Sequence, residues 1–234
     1  MDLQANIARN LAEVRLRIQN AARQAGRNPG DVLLLAVSKT FSLDHIRAAV
    51  AAGQRDFGEN RVQEALQKID GSADLMIRWH LVGTLQSNKV RKAAPRFSVI
   101  HSVDSLRLLE AIDAAALDAG TAPELLVQVD LAGEATKHGV PPPDAMAIVK
   151  AASRCRASRL VGLMTIPPFF DNPDAARPYF AELRDLRASL LSEGLDPALL
   201  RELSMGMSHD FEIAVQEGAT IVRLGTAIFG ERRV

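Results

Sequence analysis

At 234 residues, 47% of them apolar, the chain is long enough to bury one sizeable core, and its 28 basic and 28 acidic side chains leave no cationic field for a nucleic-acid backbone. Cys155 is the only cysteine, which excludes an intramolecular disulfide, a CxxC redox pair and a cysteine-rich zinc site. There is no basic-then-apolar leader and no stretch near the roughly 20 apolar residues that span a bilayer, so the expectation is a soluble cytoplasmic protein without membrane, nucleic-acid or metal partners.

The first periodic segment, Ile7, Leu11, Val14 and Ile18 with Ala21 and Ala22, spaces apolar residues by three and four between arginines. That spacing predicts an amphipathic helix, ended by Gly26, Asn28 and Pro29. Short apolar runs then alternate with helical stretches. Strands are predicted near 32–39, 54–58, 77–82, 97–101, 124–131, 158–164, 201–205 and 220–224. Helices are predicted near 43–53, 60–69, 86–93, 104–119, 143–155, 173–193 and 209–217. Runs apolar on both faces, such as LLLAV and LLVQV, fit a parallel sheet covered by helices. Eight such units without a GxGxxG turn predict one α/β domain over residues 1–234: a single (β/α)8 TIM barrel with an extra N-terminal helix, not an open doubly wound sheet.

A barrel carries its site at the C-terminal ends of the strands. The residues there are Lys39 after the first strand, Glu59 and Asn60 after the second, and Gly83 and Thr84 after the third, which contains His80. His101 and Ser102 close the fourth strand, Asp130 the fifth, Thr165 the sixth, Ser204 to Ser208 the seventh, and Gly225 and Thr226 the eighth.

Lysine is sparing here, six against twenty-two arginines. Alternation puts Leu33, Leu35, Val37 and Lys39 on one face. If that face is the barrel interior, burial lowers the amine's pKa and it can form an imine; otherwise the lysine simply reaches water. Gly225 and Thr226 at the last strand end, beside Ser204, Gly206 and Ser208, suit a phosphate cradle, with tight turns and helix capping as the ordinary alternatives. Arg223 lies on the same side as Gly225 and suits a phosphate, a ring nitrogen or a structural ion pair. His80 and His101 have no metal-ligand spacing to a second His or Cys and read as core residues or ligand contacts. Trp79 reads as outer-face packing, and Asn60 as a helix-start residue within reach of a cofactor. Lys137 and His138 fall in a loop above the fifth strand, facing solvent or substrate. No Ser-His-Asp order, HExxH or GKT motif supports a hydrolase. An imine-capable lysine opposite a phosphate cradle fits a ligand with both an aldehyde and a phosphate.

The stretches LLAVSKT, AGQRDFGENRVQEALQKI, WHLVGTLQSNK, VGLMTIPP and LSMGMSHDFEIAVQEGATIVRLGTAIFGER together resemble the pyridoxal 5′-phosphate homeostasis family across nearly the whole chain. That family is similar in fold to the barrel domain of alanine racemase. The resemblance implies Lys39 as the Schiff-base lysine, Ser204, Ser208, Gly225 and Thr226 as phosphate contacts, Arg223 opposite the pyridine nitrogen, and Asn60 and His80 among the cofactor contacts. It also implies a carrier that buffers pyridoxal phosphate in intracellular vitamin B6 homeostasis rather than a catalyst. Other B6 vitamers and cofactor-accepting apoenzymes are its implied partners, and a monomer or weak dimer is expected. A racemase-like enzyme is the alternative, and a Schiff-base aldolase acting on sugar phosphates is a further one. Arg61, Thr84 and His209 depart from the family's usual tyrosine, proline and acidic residue.

Overall fold

A computed structural model describes residues 2–133 and 138–231, so Lys137 lies outside the described residues. Eight parallel strands close on themselves in sequence order: β1 (Leu33–Val37), β2 (Asp56–Glu59), β3 (Arg78–Leu81), β4 (Val99–Val103), β5 (Glu124–Gln128), β6 (Arg159–Met164), β7 (Glu202–Met207) and β8 (Ile221–Leu224). The ring is sealed by β1 pairing with β8, Leu33 opposite Ile221 and Leu35 opposite Arg223.

Strands such as β1 and β6 are apolar on both faces because each face meets a different core. Leu34, Ala36, Phe57, Leu81, Leu125, Leu203, Val222 and Leu224 point outward into the large core beneath the helices. Leu35, Val82, Val99, Leu126, Val161, Met164 and Ile221 fill the barrel itself, with Leu33 and Ile166 at its edge. The alternation expected on β1 therefore holds: Leu33 and Leu35 point inward, and Val37 and Lys39 continue that face into the cavity above.

The outer layer comprises α1 (Leu3–Gln24), α2 (Leu43–Ala51), α3 (Val62–Gly71), α4 (Val90–Ala93), α5 (Leu106–Ala119), α6 (Pro142–Ala152), α7 (Arg177–Ser192), α8 (Phe211–Gln216) and α9 (Thr226–Phe229). The helix expected over 86–93 is instead a single α-turn flanked by 3-10 turns at 87–89 and 94–96, with Pro95 in the second. Among the described residues after β8, the four-residue α9 is too short to cover a strand. The N-terminal helix takes that place. α1 buries Ile7, Leu11, Val14 and Ile18 against α2, α8 and α9, across the seam where β8 meets β1. Asn10 Nδ2 donates to the Ile228 carbonyl at 2.9 Å, and Arg17 grips Glu212 through Nε and Nη2 at 2.9 and 2.8 Å.

No helix among the described residues is long and apolar enough to cross a membrane, and none of their acidic, His and Cys side chains gather in threes as a metal site.

Candidate functional site

A cavity of about 990 Å³ opens at the C-terminal ends of the strands. Lys39, Asn60, Ser208, Arg223, Gly225 and Thr226 line it, together with Arg61, Lys89, Gln128, His138 and His209. Among the described residues no carboxylate lines it, so the lining itself carries cations and polar groups only. The three positions that depart from the family pattern, Arg61, Thr84 and His209, are all in this lining.

Two residues expected in the lining lie beneath it. His80 and Ser204 are fully buried in the barrel and reach the cavity only through other side chains. The reason is strand alternation: both point inward, one layer below the mouth, where Arg223 covers them. Arg223 donates from Nη1 to Ser204 Oγ and from Nη2 to the Thr165 carbonyl, each at 2.8 Å. Below, Ser204 Oγ is 2.9 Å from His101 Nδ1, His101 Nε2 is 2.9 Å from His80 Nδ1, and His80 Nε2 is 3.1 Å from Asp56 Oδ1.

The protons in this line can be assigned from its lower end. A carboxylate only accepts, so His80 Nε2 carries a hydrogen and its Nδ1 accepts from His101 Nε2; His101 Nδ1 then accepts from the Ser204 hydroxyl. Both imidazoles are neutral. Burial lowers the His80 pKa against the pull of Asp56, while burial and then the neighbouring His80 and Arg223 hold His101 well below its ordinary value. Desolvation also brings the Arg223 guanidinium down to about 10, with Asp210 opposing, which leaves it cationic at neutral pH.

At the β7–β8 corner, Ser208 does not cap α8, whose N-cap is Asp210. Its Oγ instead accepts from the amides of Gly225 and Ala227, at 3.2 and 3.3 Å, tying the start of α9 to the end of β7. Gly206, at φ 90°, is required there, because a Cβ would stand 2.5 Å from that of Ala214. Across the mouth, a Cβ on Gly83 would lie 2.0 Å from the Asn60 carbonyl oxygen, so only glycine lets the β2 and β3 ends meet and holds Asn60 at the rim.

A buried ionic cluster beside Lys39 escaped the sequence reading. Lys68 Nζ on α3 donates to Glu59 Oε1, Glu64 Oε1 and the Ser38 carbonyl, all at 2.7 Å. Ser38 Oγ donates to Glu59 Oε1 and the Thr40 amide to Glu64 Oε1, both at 2.6 Å. Burial pushes the Glu59 carboxyl up against the opposing pull of Lys68. At Glu64 burial acts in the same upward sense, but the hydrogen bonds from Lys68 and the Thr40 amide prevail and hold it below its ordinary value. Thr40 stands at φ 70°, a left-handed conformation that costs a β-branched residue on the order of 1–3 kcal/mol. Only the i,i+4 spacing of Glu64 and Lys68 was legible beforehand, and that ordinarily marks an exposed pair.

The sequence matches the family described as alanine racemase, N-terminal domain, over residues 9–233. It is 47% identical to a pyridoxal phosphate homeostasis protein of Pseudomonas aeruginosa, over 97% of this chain and 96% of that one. A pyridoxal phosphate homeostasis protein of Aquifex aeolicus is 42% identical over 97% and 99% of the two chains. The solved structure of PipY from Synechococcus elongatus PCC7942 with PLP bound covers 96% of this chain and 100% of its own, at 43% identity and a TM-score of 0.85.

Proposed function

Because the chain belongs to the pyridoxal phosphate homeostasis protein family, we propose that it binds pyridoxal 5′-phosphate as a Schiff base on Lys39 and acts as a carrier and buffer of the cofactor in intracellular vitamin B6 homeostasis. The observation that carries this reading is the pairing of β1 with β8. It delivers Lys39 and Arg223 to one cavity whose described lining is cationic and free of carboxylates, as an anionic aldehyde requires.

Lys39 Nζ supplies the attachment point, and Ser208, Gly225 and Thr226 form the corner suited to the phosphate. Arg223, held by Ser204 Oγ and the Thr165 carbonyl, would face the ring nitrogen and keep it unprotonated, since a guanidinium gives up no proton at neutral pH. Asn60 stands at the opposite rim. When bound, the cofactor supplies an electrophilic aldehyde and an electron-withdrawing ring. Turnover of an amino acid also needs an acid and a base on opposite faces of the substrate. The only imidazoles in the described lining are His138 and His209, and the His209 ring is engaged with the Asp171 carbonyl at 3.1 Å. That supports carriage over turnover. Partners of this carrier are other B6 vitamers and cofactor-accepting apoenzymes, and it works as a monomer or weak dimer in the cytoplasm.

The test is the visible spectrum of the purified protein with pyridoxal phosphate, followed by borohydride reduction and peptide mapping. The expected result is a coloured adduct on Lys39 that Lys39→Ala abolishes without unfolding the barrel, together with no solvent-deuterium incorporation into added amino acids. A colourless protein, as an aldolase would be, or an adduct mapped to Lys68 or Lys137, would overturn the reading.

A further inference from the structure

We infer that the Glu59–Lys68–Glu64 cluster positions Lys39, gripping the peptide groups on both sides of it so that its side chain is delivered to the cavity in one orientation. The inference rests on the reading of Lys39 as the attachment point. The residue before Lys39 is held through its carbonyl by Lys68 and through its hydroxyl by Glu59, and the residue after it is held through its amide by Glu64. Lys68 joins both carboxylates, so the three side chains act as one unit anchored on β2 and α3.

Neither Glu59, Glu64 nor Lys68 lines the cavity, so the cluster touches no ligand and acts only through the backbone. Two features set it apart from ordinary packing. Thr40 is the one non-glycine among the described residues with a positive φ, and such a conformation persists only where the surroundings over-determine it. Glu59 is fully buried, yet its Oε2 has no hydrogen-bond partner. A buried ionic group is weak support for a fold, because well-packed apolar residues serve as well or better. Backbone strain, desolvation and an unmet polar atom all fall within two residues of, or directly against, the segment that carries Lys39.

The step the cluster serves joins Lys39 Nζ to the aldehyde carbon by a double bond, while the aldehyde oxygen leaves as water with two of the three ammonium protons. Orientation of the amine governs how fast that bond forms, and contributes nothing to binding of the phosphate and ring. Two vitamers separate these contributions: pyridoxal 5′-phosphate, and pyridoxine 5′-phosphate, which has an alcohol in place of the aldehyde and cannot form the bond.

In Glu64→Ala the Thr40 amide loses its acceptor. The expected result is adduct formation at saturating pyridoxal phosphate slowed at least tenfold, measured by stopped-flow absorbance, with affinity of the apoprotein for pyridoxine 5′-phosphate within twofold of the unmodified chain. Glu64→Gln keeps an amide oxygen for Thr40 and restores most of the rate. Thr40→Gly, which accepts the left-handed conformation but releases the segment to others, slows adduct formation without loss of thermal stability, and decides the matter should Glu64→Ala fail to fold. Unchanged adduct rates in Glu64→Ala and Thr40→Gly, or equal losses for both vitamers, would overturn the positioning role. If the unmodified chain itself formed no adduct, the reading of Lys39 would fall instead.

Discussion

Arg223 is held by two donations in different directions, to a hydroxyl on β7 and to the carbonyl that ends β6, so its guanidinium is fixed before any ligand arrives. Arg223→Gln removes the charge and keeps one donor. If the guanidinium meets the ring nitrogen, the adduct's absorption shifts as that nitrogen becomes protonated, while affinity changes only several-fold. If it pairs with the phosphate, loss of a charge-assisted hydrogen bond worth about 1.5–3 kcal/mol weakens binding by roughly 10- to 100-fold with no shift. Absorbance and equilibrium dialysis on this one variant separate the two placements. At this scale Lys39 was legible, because strand alternation is a local rule that carries Leu33, Leu35 and Val37 to the same face. Glu59 was not. It read as a residue at the end of the second strand, and its burial depends on α3 folding back so that Lys68 reaches the end of β2.

α1 shows how unequal its contacts are. The Arg17–Glu212 pair is bidentate, but both side chains are 38% exposed, so solvent screening leaves it worth no more than about 1 kcal/mol. Leu11 is fully buried beneath the same helix. Urea unfolding should therefore report a loss of about 2–5 kcal/mol for Leu11→Ala and under about 1 kcal/mol for Arg17→Ala. A comparable loss from both would mean that the ion pair, not the apolar stripe, holds the helix down. The stripe itself was legible from spacing. That α1 does the work of the missing eighth covering helix was not, because it depends on α9 stopping after one turn.

Across the whole barrel, the two neutral histidines tie stability to pH. Both are lowered by burial from an ordinary value of 6.5, so the unfolded chain binds more protons than the folded one below that pH. Their contribution is complete above about pH 6.5 and is lost as pH falls toward the folded-state values, with a slope of at most about 2.7 kcal/mol per pH unit for two protons. Asp210 and Glu59, raised by burial, act in the opposite sense as pH falls toward the carboxylate range, so denaturation between pH 8 and 6 isolates the histidines best. Stability should fall across that interval as unfolding takes up protons; a flat profile would mean that the imidazoles are not buried neutral. The eight strands were legible as eight apolar runs. The line from Asp56 to Arg223 was not, because its members sit on β2, β3, β4, β7 and β8 without any sequence period, and only the closed register stacks them.

The seal between β1 and β8 also sets the order of assembly. Leu35 finds its partner Arg223 only after six intervening strands, and α1, which meets α2 early, completes its contacts only when α8 and α9 arrive. Synthesis at roughly 5–20 residues per second therefore leaves Lys39 without its opposite wall for most of translation. The phosphate corner and the guanidinium come after β1 to β6 in the chain, so a growing chain that still lacks them has no complete pocket with which to take up an aldehyde. The pocket becomes available only once the barrel can close.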